Sequence, residues 1–164
     1  MLSGLRGCRS LFAKRTMATV GTLKRMNAQA LSEKILEEKE ATDPTFAVVD
    51  VRDDDHIGGH IKGSTHVPSS QLDAQMPTLV RKLADKDTVV FHCALSQQRG
   101  PSAALKYLRE KDELLARLGA AQKDGEKKEQ KVFVLDRGFV GWQEVFGTDE
   151  RLTEGYVKDL WENY

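Results

Sequence analysis

Three apolar runs, FAVV at 46–49, TVVF at 88–91 and VFVL at 132–135, are each only as long as a strand, and the stretches between them carry apolar residues at helical spacing. That alternation constrains the chain more than any other feature. Strands that alternate with helical patterns argue for an α/β fold, with a parallel central sheet and helices on both faces. In such sheets ligands bind beyond the carboxyl ends of the strands.

A short strand is expected near 23–26. A helix follows from Asn27, with Ala30, Leu31, Ile35 and Leu36 at helical spacing up to the breaker pair Asp43-Pro44. The run 45–50, followed by Val51 and Arg52, reads as a buried strand with functional residues at its carboxyl end. Gly58, Gly59 and Gly63 punctuate a turn before a strand over 64–67, which Pro68 stops. A short helical stretch spans 79–83, a strand 88–92, and a helical run extends from Pro101 through Leu118. The polar segment 119–131 reads as a solvated loop or helix extension. A strand over 131–135, a turn and helix over 138–146, and a terminal helical turn over 157–161 complete the chain.

At 164 residues, with 40% apolar and 30% charged residues, the chain has the size and composition of one folded domain. No apolar run approaches the ~20 residues that span a bilayer, so no membrane insertion is expected. Residues 1–32 carry six bases and no acid, which leaves 19 bases against 25 acids in the rest. An acidic domain is a poor nucleic-acid binder, because such binding leans on clustered Lys and Arg. Residues 1–16 space Leu2, Leu5, Leu11 and Phe12 among bases, as a mitochondrial transit peptide does, although Met17 is an equally good start. Two cysteines, Cys8 and Cys93, build neither a disulfide framework nor a zinc ribbon, and a reducing compartment is expected. Nothing around Cys8 would hold its geometry.

The chemistry points to HCALSQQRGP at 92–101. Cys93 and Arg99 stand five residues apart in a segment that leaves a strand and enters a helix, with Gly100 easing the exit and Pro101 where a first helical turn tolerates proline. A loop wrapped in that way aims successive backbone N–H groups, and the helix dipole behind them, at one point that attracts an anion. A thiolate at a helix N-terminus beside a guanidinium is favoured over the neutral thiol, so Cys93 is the expected nucleophile. Arg99 offers a planar fork for two oxygens of a tetrahedral oxyanion. The Ser96 hydroxyl could donate to Cys93 as it leaves a thiophosphate. His92 is expected to orient the loop backbone rather than act as a base. His60 and His66 read as structural histidines, and His56, with no Cys nearby, gives no metal-ligand spacing.

At these residues the sequence resembles a known family. HCALSQQRGP, with Asp50-Val-Arg52, GGHIKG at 58–63 and FVLDRGFVGW at 133–142, is similar to the rhodanese-like domain of M-phase inducer phosphatases and their small single-domain relatives, which include arsenate reductases and protein phosphatases. The resemblance covers about residues 25–147, between a basic extension over 1–20 and a helical tail over 148–164. It implies a rhodanese-like fold, with Cys93 as nucleophile, Arg99 as oxyanion ligand and Ala94, Leu95, Ser96, Gln97 and Gln98 as the backbone cradle. It also implies that Asp50, Arg52 and His60 buttress that loop. Sulfurtransferases of the rhodanese type resemble this fold with a loop one residue shorter, and the seven residues here suit phosphate or arsenate.

Several positions depart from the resemblance. The cell-cycle phosphatases carry acids in the loop where Ala94 and Gln98 stand, so the general acid is unassigned and Asp53, Asp54 and Asp55 are candidates. Val51 takes the place where those enzymes can carry a second, protective cysteine. The zinc-binding cysteines of some relatives are lacking too, so no structural metal is expected. The expected function is therefore a cysteine-dependent phosphatase, of the protein tyrosine or dual-specificity type, that needs no cofactor. Its expected partner is a phosphoprotein or small oxyanion. The alternatives are an arsenate reductase with glutathione as co-substrate, a thiosulfate sulfurtransferase, and a non-catalytic oxyanion-binding module. A monomer is expected, in cytoplasm and nucleus by resemblance or in the mitochondrion by the first sixteen residues.

Overall fold

The structure, a computed structural model, describes residues 17–119 and 129–164. The basic segment 1–16 with Cys8, and the polar residues 120–128, lie outside the described residues. The elements in chain order are β1 (Lys24–Met26), α1 (Ala28–Glu37), β2 (Phe46–Asp50), β3 (His60–Ile61), β4 (Thr65–His66), α2 (Leu72–Lys82), β5 (Thr88–His92), α3 (Arg99–Arg117), β6 (Lys131–Leu135), α4 (Gly138–Phe146) and β7 (Thr153–Glu154). Five strands form one parallel sheet in the order β1-β6-β5-β2-β4, as the alternating pattern predicts. Asn27 starts α1 by accepting the Ala30 N–H on its side-chain oxygen at 2.8 Å, as a helix N-cap does.

The two-residue period of the strands divides the interior into two layers. Val49, Val89, Phe91, Val132 and Val134 pack under Leu72, Met76 and Val80 of α2 and Ala104 and Tyr107 of α3. Their neighbours Val48, Val90 and Leu135 pack on the opposite face, under Leu31 of α1 and Phe139 and Trp142 of α4. Helices thus cover both faces, and the carboxyl ends of β2, β4 and β5 open on one side of the molecule.

Three boundaries differ from the sequence reading. Helix α2 starts at Leu72 rather than at 79, because Leu72, Met76, Leu79 and Val80 share one buried face even though Pro77 lies inside the helix. Helix α3 starts at Arg99, two residues before Pro101. The segment 148–164 ends in the expected helical turn at Lys158–Leu160, but it first supplies β7, which pairs antiparallel with β3. Among the described residues no helix is long and apolar enough to cross a membrane.

Candidate active site

The loop 93–99 runs from the end of β5 into the first residue of α3. Its carbonyl oxygens are engaged by three different elements. That of Cys93 accepts the Phe139 N–H, that of Ala94 the Val140 N–H, that of Ser96 the Arg25 side chain and that of Gln98 the Ser102 N–H, at 2.9, 2.9, 3.3 and 2.9 Å. In a trans peptide the N–H points opposite to the C=O, so each of these bonds turns the next N–H, of Ala94, Leu95, Gln97 and Arg99, to the other side. Those four N–H groups, and that of Gln98, meet no acceptor among the described residues. The structure thus brings the expected cradle together as a ring of backbone donors at a helix N-terminus.

Cys93, the only cysteine among the described residues, is buried at the base of this ring. Its sulfur accepts the Ser96 N–H at 3.3 Å, and its own N–H reaches Ser96 Oγ at 3.4 Å. The hydrogen bond to the Cys93 sulfur that the structure shows comes from the Ser96 N–H, with the hydroxyl oxygen at the Cys93 N–H. Ser96 holds a left-handed φ of 53° and is fully buried. A non-glycine residue stays in that region only when its surroundings fix it. Two glycines let the loop close. A Cβ on Gly100 would stand 3.3 Å from Cys93 N and from Ser96 Oγ. A Cβ on Gly138, whose φ is +56°, would stand 2.5 Å from the Ala94 carbonyl oxygen and nearer still to that of Cys93.

Arg99 meets two carboxylates from the connection after β2. Its Nη1 and Nη2 donate to Oδ1 and Oδ2 of Asp55 at 2.7 and 2.6 Å, and Nη1 also reaches Asp53 Oδ2 at 3.1 Å. The end-on edge of the guanidinium is thereby occupied. Nε–H and the second Nη2 hydrogen, which form the side-on edge, meet no acceptor among the described residues. Asp53 also accepts from the Ser69 hydroxyl at 2.6 Å and the Ser70 N–H at 2.9 Å. These bonds, with Arg99, hold its carboxyl far below the usual carboxylate range. Arg99 lowers Asp55 in the same direction, against the opposing effect of burial. Both are thus bound as ionised acceptors, poorly suited to donate a proton, and Asp54 is exposed.

Behind the loop, Asp50 and Arg52 form a fully buried ion pair. Arg52 Nη2 donates to Asp50 Oδ2 at 2.7 Å and to the Gly59 carbonyl at 2.9 Å, and its guanidinium lies 4.3 Å over the Phe139 ring. Burial alone would raise the Asp50 carboxyl; His92 and the hydrogen-bonded Arg52 outweigh it and keep it low. His92 is fully buried with Nδ1 3.2 Å from the Cys93 carbonyl oxygen, which suits an orienting residue, and burial lowers its pKa. His56 stacks on His66 at 3.8 Å, and His66 Nε2 bonds the Arg52 carbonyl at 2.7 Å. His60 Nε2 meets Glu154 Oε2 of β7 at 3.0 Å, and its ring stacks on that of His56 at 5.7 Å. Among the described residues no group of three His, Cys, Asp or Glu side chains could hold a metal ion.

The sequence reading missed Arg25 and the pairing of Arg99 with Asp53 and Asp55. The first lies seventy-one residues from its partner Ser96 and carries no local signature. The second had a signal, three consecutive acids just past a strand end, on the side of the sheet where Arg99 is expected.

A parallel α/β sheet that carries one cysteine inside a ring of free amides defines a class of cysteine-centred oxyanion loops. The chain belongs to the rhodanese-like domain family, whose model matches residues 28–145. It is 42% identical over 127 residues to the CDC25-like phosphatase YCH1 of Saccharomyces cerevisiae, covering 71% of this chain and 78% of that protein. It is 44% identical over 102 residues to arsenate reductase 2.2 of Oryza sativa subsp. japonica, covering 62% of this chain and 72% of that protein. Among solved structures, a yeast protein tyrosine phosphatase of the Rhodanese family superposes with a TM-score of 0.65 at 37% identity, covering 85% of this chain and 97% of that one.

Proposed function

We propose that the protein is a cysteine-dependent phosphatase acting on a phosphoprotein or a smaller phosphate ester. The observation that carries this reading is the outward tethering of four loop carbonyls, which turns the amide donors of Ala94, Leu95, Gln97 and Arg99 to the opposite side, beside Cys93. The thiolate of Cys93 attacks phosphorus, the bond to the ester oxygen breaks, and the leaving alcohol takes up a proton. Water then attacks the thiophosphate, the S–P bond breaks and the thiolate returns, with the released proton passing to solvent. Amides fixed before the substrate arrives stabilise the charge on the equatorial oxygens through both steps, and Arg99 adds its side-on edge.

The same pocket accepts arsenate, a slightly larger tetrahedral oxyanion, and likeness to a named arsenate reductase supports that second reading. Here the Cys93 adduct is resolved from outside, with two glutathione thiols supplying two electrons and leaving arsenite, glutathione disulfide and water.

Purified protein and Cys93→Ser are assayed side by side on an aryl phosphate, on arsenate with glutathione, and on thiosulfate with cyanide. Phosphate release that disappears in Cys93→Ser is the expected result. Arsenate turnover above phosphate turnover selects the second reading, and dominant thiosulfate turnover rejects both.

A further inference from the structure

Arg25 lies on the edge strand β1, and its Nη2 donates to the carbonyl oxygen of Ser96 at 3.3 Å. Nη1 leans on Asp136 at 3.5 Å, from the turn before α4. Ser96 is the strained residue of the loop, at φ 53°, and its own N–H is directed at the Cys93 sulfur. Three of the four tethered carbonyls are held by backbone N–H groups of α3 and α4, whose positions are set by the helices that carry them. The Ser96 carbonyl alone is held by a side chain. The peptide that follows it is trans, so the same bond sets the direction of the Gln97 N–H.

We infer that Arg25 is a positioning residue of the oxyanion loop. It fixes the Ser96–Gln97 peptide with its carbonyl outward and thereby keeps the Gln97 N–H, and the strained Ser96, in the anion-binding arrangement. Asp53 and Asp55 offset the charge of Arg99, so the loop depends heavily on its amides for anion binding, and a flipped peptide would present a carbonyl oxygen to the substrate instead of a donor. The inference rests on the oxyanion-loop reading above, yet it can fail independently of it.

The test reads Cys93 alkylation by anionic iodoacetate relative to neutral iodoacetamide, followed on the Cys93 peptide by mass spectrometry, in the full chain. Wild-type protein is expected to favour iodoacetate. Arg25→Met keeps the aliphatic stem and is expected to lower that preference roughly tenfold or more, the scale of one lost charge-assisted hydrogen bond. Lys24→Met removes the same charge from the neighbouring residue and is expected to leave the preference unchanged. An unchanged preference in Arg25→Met, or an equal fall in Lys24→Met, overturns the positioning role. Should Arg25→Met not fold, Arg25→Gln supplies the same reading, with an intermediate fall expected and no fall overturning it. Because alkylation needs no turnover, a protein inactive on aryl phosphate that still shows the Arg25-dependent preference loses the phosphatase reading alone. A wild-type protein with no preference for iodoacetate loses both.

Discussion

Arg99 and Asp55 form a two-point ion pair, with Nη1 to Oδ1 at 2.7 Å and Nη2 to Oδ2 at 2.6 Å. The residue expected to grip the oxyanion is itself gripped, through both of its Nη atoms. A guanidinium fixed in this way loses little rotamer freedom when substrate arrives, which is the benefit of a preorganised donor.

Replacing the planar fork with a point charge should therefore be costly. Arg99→Lys is expected to reduce kcat on an aryl phosphate by roughly a hundredfold or more, with the melting temperature little changed. Asp55→Asn removes the charge of the orienting partner and should lower kcat about tenfold, while inorganic phosphate inhibits no less tightly, because a carboxylate has been withdrawn from an anion site. A parallel loss of phosphate affinity would mean that Asp55 shapes the pocket rather than aiming Arg99.

Gly138→Ala should strike the loop from behind. The new methyl group would collide with the carbonyl oxygens of Cys93 and Ala94, and φ +56° is unfavourable for alanine. A destabilisation of about 2–4 kcal/mol is expected, together with loss of phosphatase activity. Denaturant unfolding and turnover on the same preparation check both parts.

The buried ion pair gives a prediction of opposite signs. Asp50→Ala leaves the Arg52 charge sealed without its carboxylate and should cost about 3–5 kcal/mol. Adding Arg52→Met to that variant should recover part of the stability, since the unpaired charge disappears. Activity should not recover, because Arg52 also collects the Gly59 carbonyl of the connection that carries Asp55. Chemical denaturation of the two variants distinguishes pairing from positioning.

Acid should weaken the fold in two stages. Burial lowers the pKa of His56 and His92 below their ordinary 6.5, so the unfolded chain binds more protons than the native one just below that value. Stability is then complete above pH 6.5 and falls as pH drops towards the native values, by at most about 1.4 kcal/mol per pH unit for each histidine. Asp50, Asp53 and Asp55 are lowered instead from 3.8, so their contribution is present above that pH and is lost below it, towards their native values. Melting temperatures between pH 7.5 and 5 should fall in the wild type and fall less steeply in His56→Phe, which keeps a ring for the stack on His66.

Much of this site could be read from residue order, and the reasons are local. β2, β5 and β6 are apolar runs buried on both faces, and the Cys93-to-Arg99 loop sits where such a strand meets a helix, so pattern and chemistry coincide within ten residues. β3 and β7 have only two residues each, too few to show a period, and they meet across more than ninety positions, His60 opposite Glu154 and Ile61 opposite Thr153. Helix α2 was obscured by Pro77, which ordinarily breaks the spacing that identifies a helix. Arg25 is one more base in a basic segment until β1 aligns with β6 and brings it beside Ser96.

The chain contains two tryptophans, and the fold places them in different surroundings. Trp142 is sealed in the interior with its indole N–H on Thr153, whereas the part-buried Trp161 donates to the Gly58 carbonyl at 2.8 Å and packs edge-on against Phe139 at 5.3 Å. The second indole therefore rests on the same short connection that presents Asp53 and Asp55 to Arg99. With Trp142 exchanged for Phe, its fluorescence becomes an intrinsic optical gauge of that connection, legible in real time and without a label as an anion enters or leaves.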